Sequence, residues 1–105
     1  MDLENLLKEK VSQEELNNLI SDLVKIPSTP DSENYEKDVA EFIYEFFQNE
    51  GIESELQKVK DERPNVVAKI KGAGEGKSLM LTGHMDTVPA YDMDIEPFSG
   101  EIRDG

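Results

Sequence analysis

A single histidine, His84, stands two residues before a carboxylate, Asp86, in the segment Gly83-His84-Met85-Asp86-Thr87-Val88-Pro89. In extended backbone, residues i and i+2 point to the same side, so the imidazole and the carboxylate can face one pocket. A neutral imidazole is a good zinc ligand, and a neighbouring carboxylate can fix its tautomer and orientation. The same pair can equally be a structural histidine with its hydrogen-bond partner. Spacing alone fits both readings, because a zinc site takes three or four protein ligands and one histidine does not specify such a set. Asp92, Asp94, Glu96, Glu101 and Asp104 follow and could add oxygen ligands, although acids in loops are usually just solvated. The absence of cysteine excludes thiolate metal sites and disulfides.

The elements that must position this pair can be read from pattern. Residues 78–82 hold Leu79-Met80-Leu81, an unbroken apolar run of the kind found in a buried central strand. His84 would then lie at a strand end, where open α/β sheets place their ligands. Two further strands are expected upstream, over 52–59 at an edge and over 65–71 with Val66, Val67, Ala68 and Ile70. The intervening Gly72-Ala-Gly-Glu-Gly76 is a turn; the Walker pattern is absent, so it is not a phosphate-binding loop.

Two helices precede the strands. Ser12 and Glu15 have capping-box spacing, and Leu16, Leu19, Ile20, Leu23 and Val24 form one face, which predicts a helix over 13–25 stopped by Pro27. Residues 27–32 read as a loop. Val39, Phe42, Ile43, Phe46 and Phe47 repeat the helical spacing over 34–50, with Gly51 as the expected left-handed stop. The aromatic residues of this helix read as core packing rather than a base-stacking platform. Two amphipathic helices followed by three strands predict an α/β fold, a partial α/β/α sandwich with a mixed sheet, in which both helices pack on the Leu79–Leu81 strand. The tail from Pro89 onward shows no periodicity.

Charge and composition narrow the partners. With 24 acidic residues against 11 basic ones, the formal net charge is −13, a field that repels phosphate backbones and anionic lipid. Nucleic acid and membranes are therefore poor partners. The start is too acidic for a signal peptide, and no apolar run approaches the ~20 residues of a membrane helix. A cytoplasmic protein is expected.

The Gly83–Pro89 segment resembles the first metal motif of the M20 family of metallopeptidases and amidohydrolases, which includes acetylornithine deacetylase, succinyl-diaminopimelate desuccinylase and aminoacylase. Three other stretches agree in order and interval. Asp22-Leu-Val-Lys-Ile-Pro-Ser28 resembles the end of the family's first helix. Arg63-Pro-Asn-Val-Val-Ala-Lys-Ile-Lys-Gly72 resembles the strand before the motif strand. Pro97-Phe98-Ser99-Gly100, with Asp104-Gly105, resembles the approach to the second motif. The resemblance covers the chain from about Ser12 onward. It implies that His84 binds one of two zinc ions, with cobalt or manganese as possible substitutes, and that Asp86 is the catalytic-site carboxylate that positions it. It further implies metal-assisted hydrolysis of an amide bond in an N-acyl amino acid or small peptide, and a homodimer at full length. The family's bridging aspartate, glutamate base and remaining ligands lie in later segments. Residues 1–105 are accordingly expected to be the amino-terminal part of a catalytic domain, truncated before the second metal motif and inactive alone. The tryptophan often found before Pro-Phe is missing from Tyr91–Glu96. The alternative reading is a non-catalytic truncated paralogue that binds a protein partner through an exposed sheet edge.

Overall fold

The computed structural model describes residues 2–105. Its elements are α1 (Leu3–Lys10), α2 (Gln13–Val24), α3 (Lys37–Asn49), β1 (Glu53–Lys60) and β2 (Arg63–Lys69). They fall into two compact units, one running up to Ile26 and joined by Asp92–Gly105, the other comprising Pro27–Tyr91.

In the first unit, α1 adds a helix that the apolar spacing did not predict. The Asp2 side chain caps it by accepting from the Glu4 amide at 3.2 Å, and Lys8 reaches back to Glu4 at 2.8 Å. None of its residues is buried, so local capping and charge alone favour it. The start of α2 is as expected, with Ser12 Oγ accepting from the Glu15 amide at 3.3 Å. Its apolar stripe is largely open to solvent, with Leu16, Ile20 and Val24 all exposed. The buried residue of α2 is Ser21, whose hydroxyl donates to the Gly100 carbonyl. Gly100 adopts φ +62°, and a Cβ there would fall 2.7 Å from the Ser21 carbonyl oxygen, so both the backbone angle and the contact require glycine.

In the second unit, α3 packs on both strands of an antiparallel hairpin. Val39 and Ala40 of α3 are the buried hydrophobic residues among those described. Gly51 closes the helix at φ +71°, as expected from its position. Asp61 and Glu62 join the strands, Glu62 at φ +62°, and a register irregularity between Lys58 and Lys60 bends β1 next to this turn. Pro64 is tolerated near the start of β2, where a missing amide costs least.

The α/β class holds, and two details of the sequence reading are corrected. The sheet is a two-stranded antiparallel hairpin, not a mixed sheet. The expected third strand over 78–82 forms no ladder, and Leu79, Met80 and Leu81 are 84–87% exposed, so neither helix packs on it. The physical reason lies in the connections. A two-residue turn delivers β2 to β1 in register, whereas the link from β2 to residue 78 carries Gly72, Gly74 and Gly76 and imposes no partner. An apolar run states that a segment should be buried but not what it pairs with.

Candidate functional site

The Gly83–Pro89 segment has no regular secondary structure and is held by contacts from distant parts of its own unit. The Thr87 amide donates to the Ser28 carbonyl at 3.3 Å, and the two hydroxyls approach to 3.4 Å. Ser28 and Thr29 are buried. Their loop is braced from within: Thr29 Oγ1 donates to Asp31, and Ser32 Oγ donates to the Thr29 carbonyl at 2.7 Å. Tyr91 Oη donates to the other Asp31 oxygen at 3.4 Å. The loop after α2 therefore fixes the backbone one residue past Asp86 from 59 residues away.

His84 and Asp86 lie together. His84 Nδ1 is 2.8 Å from the Asp86 carbonyl oxygen and 3.2 Å from its carboxylate Oδ1. A carbonyl accepts only, as does an ionised carboxylate, so Nδ1 must carry the proton. In the neutral ring this leaves the lone pair on Nε2, which has no hydrogen bond among the described residues. The imidazole is 84% exposed on its side chain and therefore open to a further partner.

The pair lines a cleft of about 390 Å³ that Arg63 and Glu36 also line. Arg63 Nε donates to Glu36 Oε2 at 2.9 Å and Nη2 donates to Oε1 at 2.7 Å, a planar fork that joins β2 to the start of α3. The Arg63 guanidinium is 5.5 Å from the centre of the Tyr35 ring. Its pKa is raised above its ordinary value, first by the hydrogen bond to Glu36 and then by the Glu36 charge, with Asp86 adding to the same effect. Sequence reasoning placed Arg63 in a strand-like segment and gave neither it nor Glu36 a role. The available signal was an arginine beside a strand-start proline in a very acidic chain. Ser28 and Thr87 were likewise inside the matched stretches but not singled out.

As a metal site, this set fits in part. One imidazole with its Nδ1 tied to a carboxylate and its Nε2 open is the arrangement of a metal-ligating histidine. Among the described residues, no three His, Asp or Glu side chains converge where they could hold an ion. His84 therefore fits one ligand position, not a whole site.

Known proteins bear directly on this segment. A probable succinyl-diaminopimelate desuccinylase from Staphylococcus epidermidis is 36% identical over 98 residues, which is 90% of this chain and 23% of that protein. A candidate LysW-lysine/LysW-ornithine hydrolase from Pyrococcus furiosus is 42% identical over 81 residues, 77% of this chain and 22% of its own length. The chain belongs to the M20 family. A probable carboxypeptidase from Aspergillus clavatus adds 41% identity over 70 residues, covering 67% of this M20 chain and 16% of that protein. The chain thus spans less than a quarter of the length of these relatives, all of which carry the names of hydrolases. No family model and no solved structure matches it. Among the described residues, no helix is long and apolar enough to cross a membrane.

Proposed function

We propose that the whole protein is a zinc-dependent amidohydrolase in which His84 Nε2 is a metal ligand and Asp86 holds the ring in the required tautomer. The observation that carries this reading is the contact of Nδ1 with two oxygens of Asp86, which leaves the Nε2 lone pair for a metal. Bound zinc would supply Lewis acidity to the amide carbonyl and to water. Within this chain, Asp86 orients the imidazole, and Ser28 and Thr87 hold the backbone that carries both.

The substrate class is an N-acyl amino acid or a small peptide. The names of the relatives support it: a succinyl-diaminopimelate desuccinylase, a LysW-lysine/LysW-ornithine hydrolase and a carboxypeptidase. Their shared hydrolytic naming weighs against a purely protein-binding module. A homodimer and a cytoplasmic location complete the proposal; a chain without cysteine suits a reducing compartment. Residues 1–105 alone should bind zinc weakly and show no turnover, because one ligand position is too few.

The test uses the whole protein loaded with zinc. His84→Ala should remove one zinc per protomer and nearly all hydrolysis of N-succinyl, N-acetyl or dipeptide substrates. Asp86→Ala should retain partial metal binding while losing about 10–100-fold in rate. Normal zinc content and turnover in His84→Ala would overturn the assignment.

A further inference from the structure

The strongest feature outside the His84–Asp86 contact is the Arg63–Glu36 fork that lines the same cleft. Arg63 spends only Nε and Nη2 on Glu36, and its Nη1 carries no hydrogen bond among the described residues. Its side chain is 45% exposed, whereas that of Glu36 is 10% exposed. The pair is therefore asymmetric: the carboxylate is sunk into the fold and the cation stands at the cleft. Tyr35, which supplies the ring near Arg63, sits in the left-handed region at φ 49°, an unusual conformation for a bulky side chain. This turn sets the Tyr35 ring and the Glu36 carboxylate around the same guanidinium. Strain of this kind persists where surrounding structure over-determines it, and it clusters at functional sites.

We infer that Arg63 is a positioning residue for the His84–Asp86 pair: fixed by Glu36 and backed by Tyr35, it presents a positive charge in the shared cleft that keeps the Asp86 carboxylate in place against His84 Nδ1. The inference rests on the reading of His84 as a zinc ligand. A charge tethered by a rigid fork holds its place better than one on a free side chain, because its orientation is fixed before any ligand arrives. Asp86 is the acid that shares this cleft with Arg63, apart from Glu36, which is already bound in the fork. Both carboxylates favour the charged guanidinium, Glu36 first through its hydrogen bond and charge and Asp86 to a lesser degree. Glu36 holds the arginine, the arginine holds Asp86, and Asp86 holds the imidazole.

The experiment measures zinc affinity of the whole protein by chelator competition, below the melting temperature of each variant. Arg63→Ala and Arg63→Gln should each weaken zinc binding by about 10-fold, the lower end of the loss for removing a group that orients a ligand. Arg63→Lys keeps the charge and should recover most of the affinity even though its melting temperature falls. In an Asp86→Asn background, Arg63→Gln should cause no further loss, because the route through Asp86 is already cut. If Arg63→Ala fails to fold, the comparison of Arg63→Gln with Arg63→Lys still decides. Equal zinc affinity in those two variants overturns the inference, as does an additive loss in the double variant. A wild-type protein that binds zinc while every Arg63 variant binds it equally well leaves the function reading standing and removes this one. A wild-type protein that binds no zinc removes both.

Discussion

The same guanidinium–carboxylate fork occurs twice in this chain. Arg63 meets Glu36 at 2.7 and 2.9 Å, and Arg103 meets Glu101 at 2.7 and 2.8 Å. The hydrogen bonds are nearly indistinguishable, and both arginines have a pKa raised first by the hydrogen bond to their glutamate. The settings differ. Arg63 and Glu36 are 27 residues apart, and the glutamate is buried, so the pair joins α3 to β2. Arg103 and Glu101 are two residues apart and both open to water. What a fork contributes is set by how much chain it constrains and how far its charges leave water. The Asp92–Gly105 tail is held to α2 by something else, the hydrogen bond from Ser21 to the Gly100 carbonyl.

The largest effect should come from Arg63→Ala. It strands the buried Glu36 carboxylate without its partner, and the melting temperature should fall by several degrees in calorimetry. Glu36→Gln, which removes the buried charge but keeps an amide for Arg63 to meet, should cost less. If Arg63→Ala melts like wild type, the contrast between the two forks collapses.

Next comes Gly100→Ala. A Cβ at φ +62° pressed to 2.7 Å from the Ser21 carbonyl should cost about 1–3 kcal/mol in urea denaturation. The loss would confirm that the close backbone approach, rather than the neighbouring fork, secures the tail.

The pH profile sharpens the comparison further. Because Glu36 raises the pKa of Arg63, this pair's arginine contributes stability that is complete below the unfolded arginine value and lost only as pH rises through the still higher folded one. Arg103 follows the same rule. Neither arginine should therefore give any slope in stability across the neutral range. A melting temperature that shifts there in wild type but not in Arg63→Gln would contradict this.

The smallest effect belongs to Arg103→Ala and Glu101→Ala, which should leave the melting temperature unchanged. Exposed pairs contribute little, and salt screens them over about 8 Å at physiological ionic strength. A measurable loss from either, abolished by salt, would show that the tail fork contributes after all.

The local elements were legible because their causes are local. Ser12 and Glu15 marked the start of α2, the apolar spacing of Val39 to Phe47 marked α3, and Gly51 marked its end. α1 escaped because it buries nothing; its Asp2 cap and Glu4–Lys8 pair were present in the sequence but carry no apolar stripe that reaches a core. The nearness of His84 and Asp86 was also readable, since i and i+2 spacing needs no distant partner. That Nδ1 meets both the carbonyl and the carboxylate of Asp86 required coordinates.

The sequence by itself determined where α2 begins and where α3 stops, which side chains share a face, and which histidine could bind a metal, because periodicity, capping and short spacing act over a few residues. Tertiary structure alone decided that Glu36 reaches Arg63, that Ser28 anchors Thr87, and that Leu79–Leu81 stays exposed without a strand partner. Those outcomes depend on which distant segments meet. A fork, a hydroxyl pair and an apolar run each specify what kind of neighbour they need, and only the folded chain supplies or withholds it.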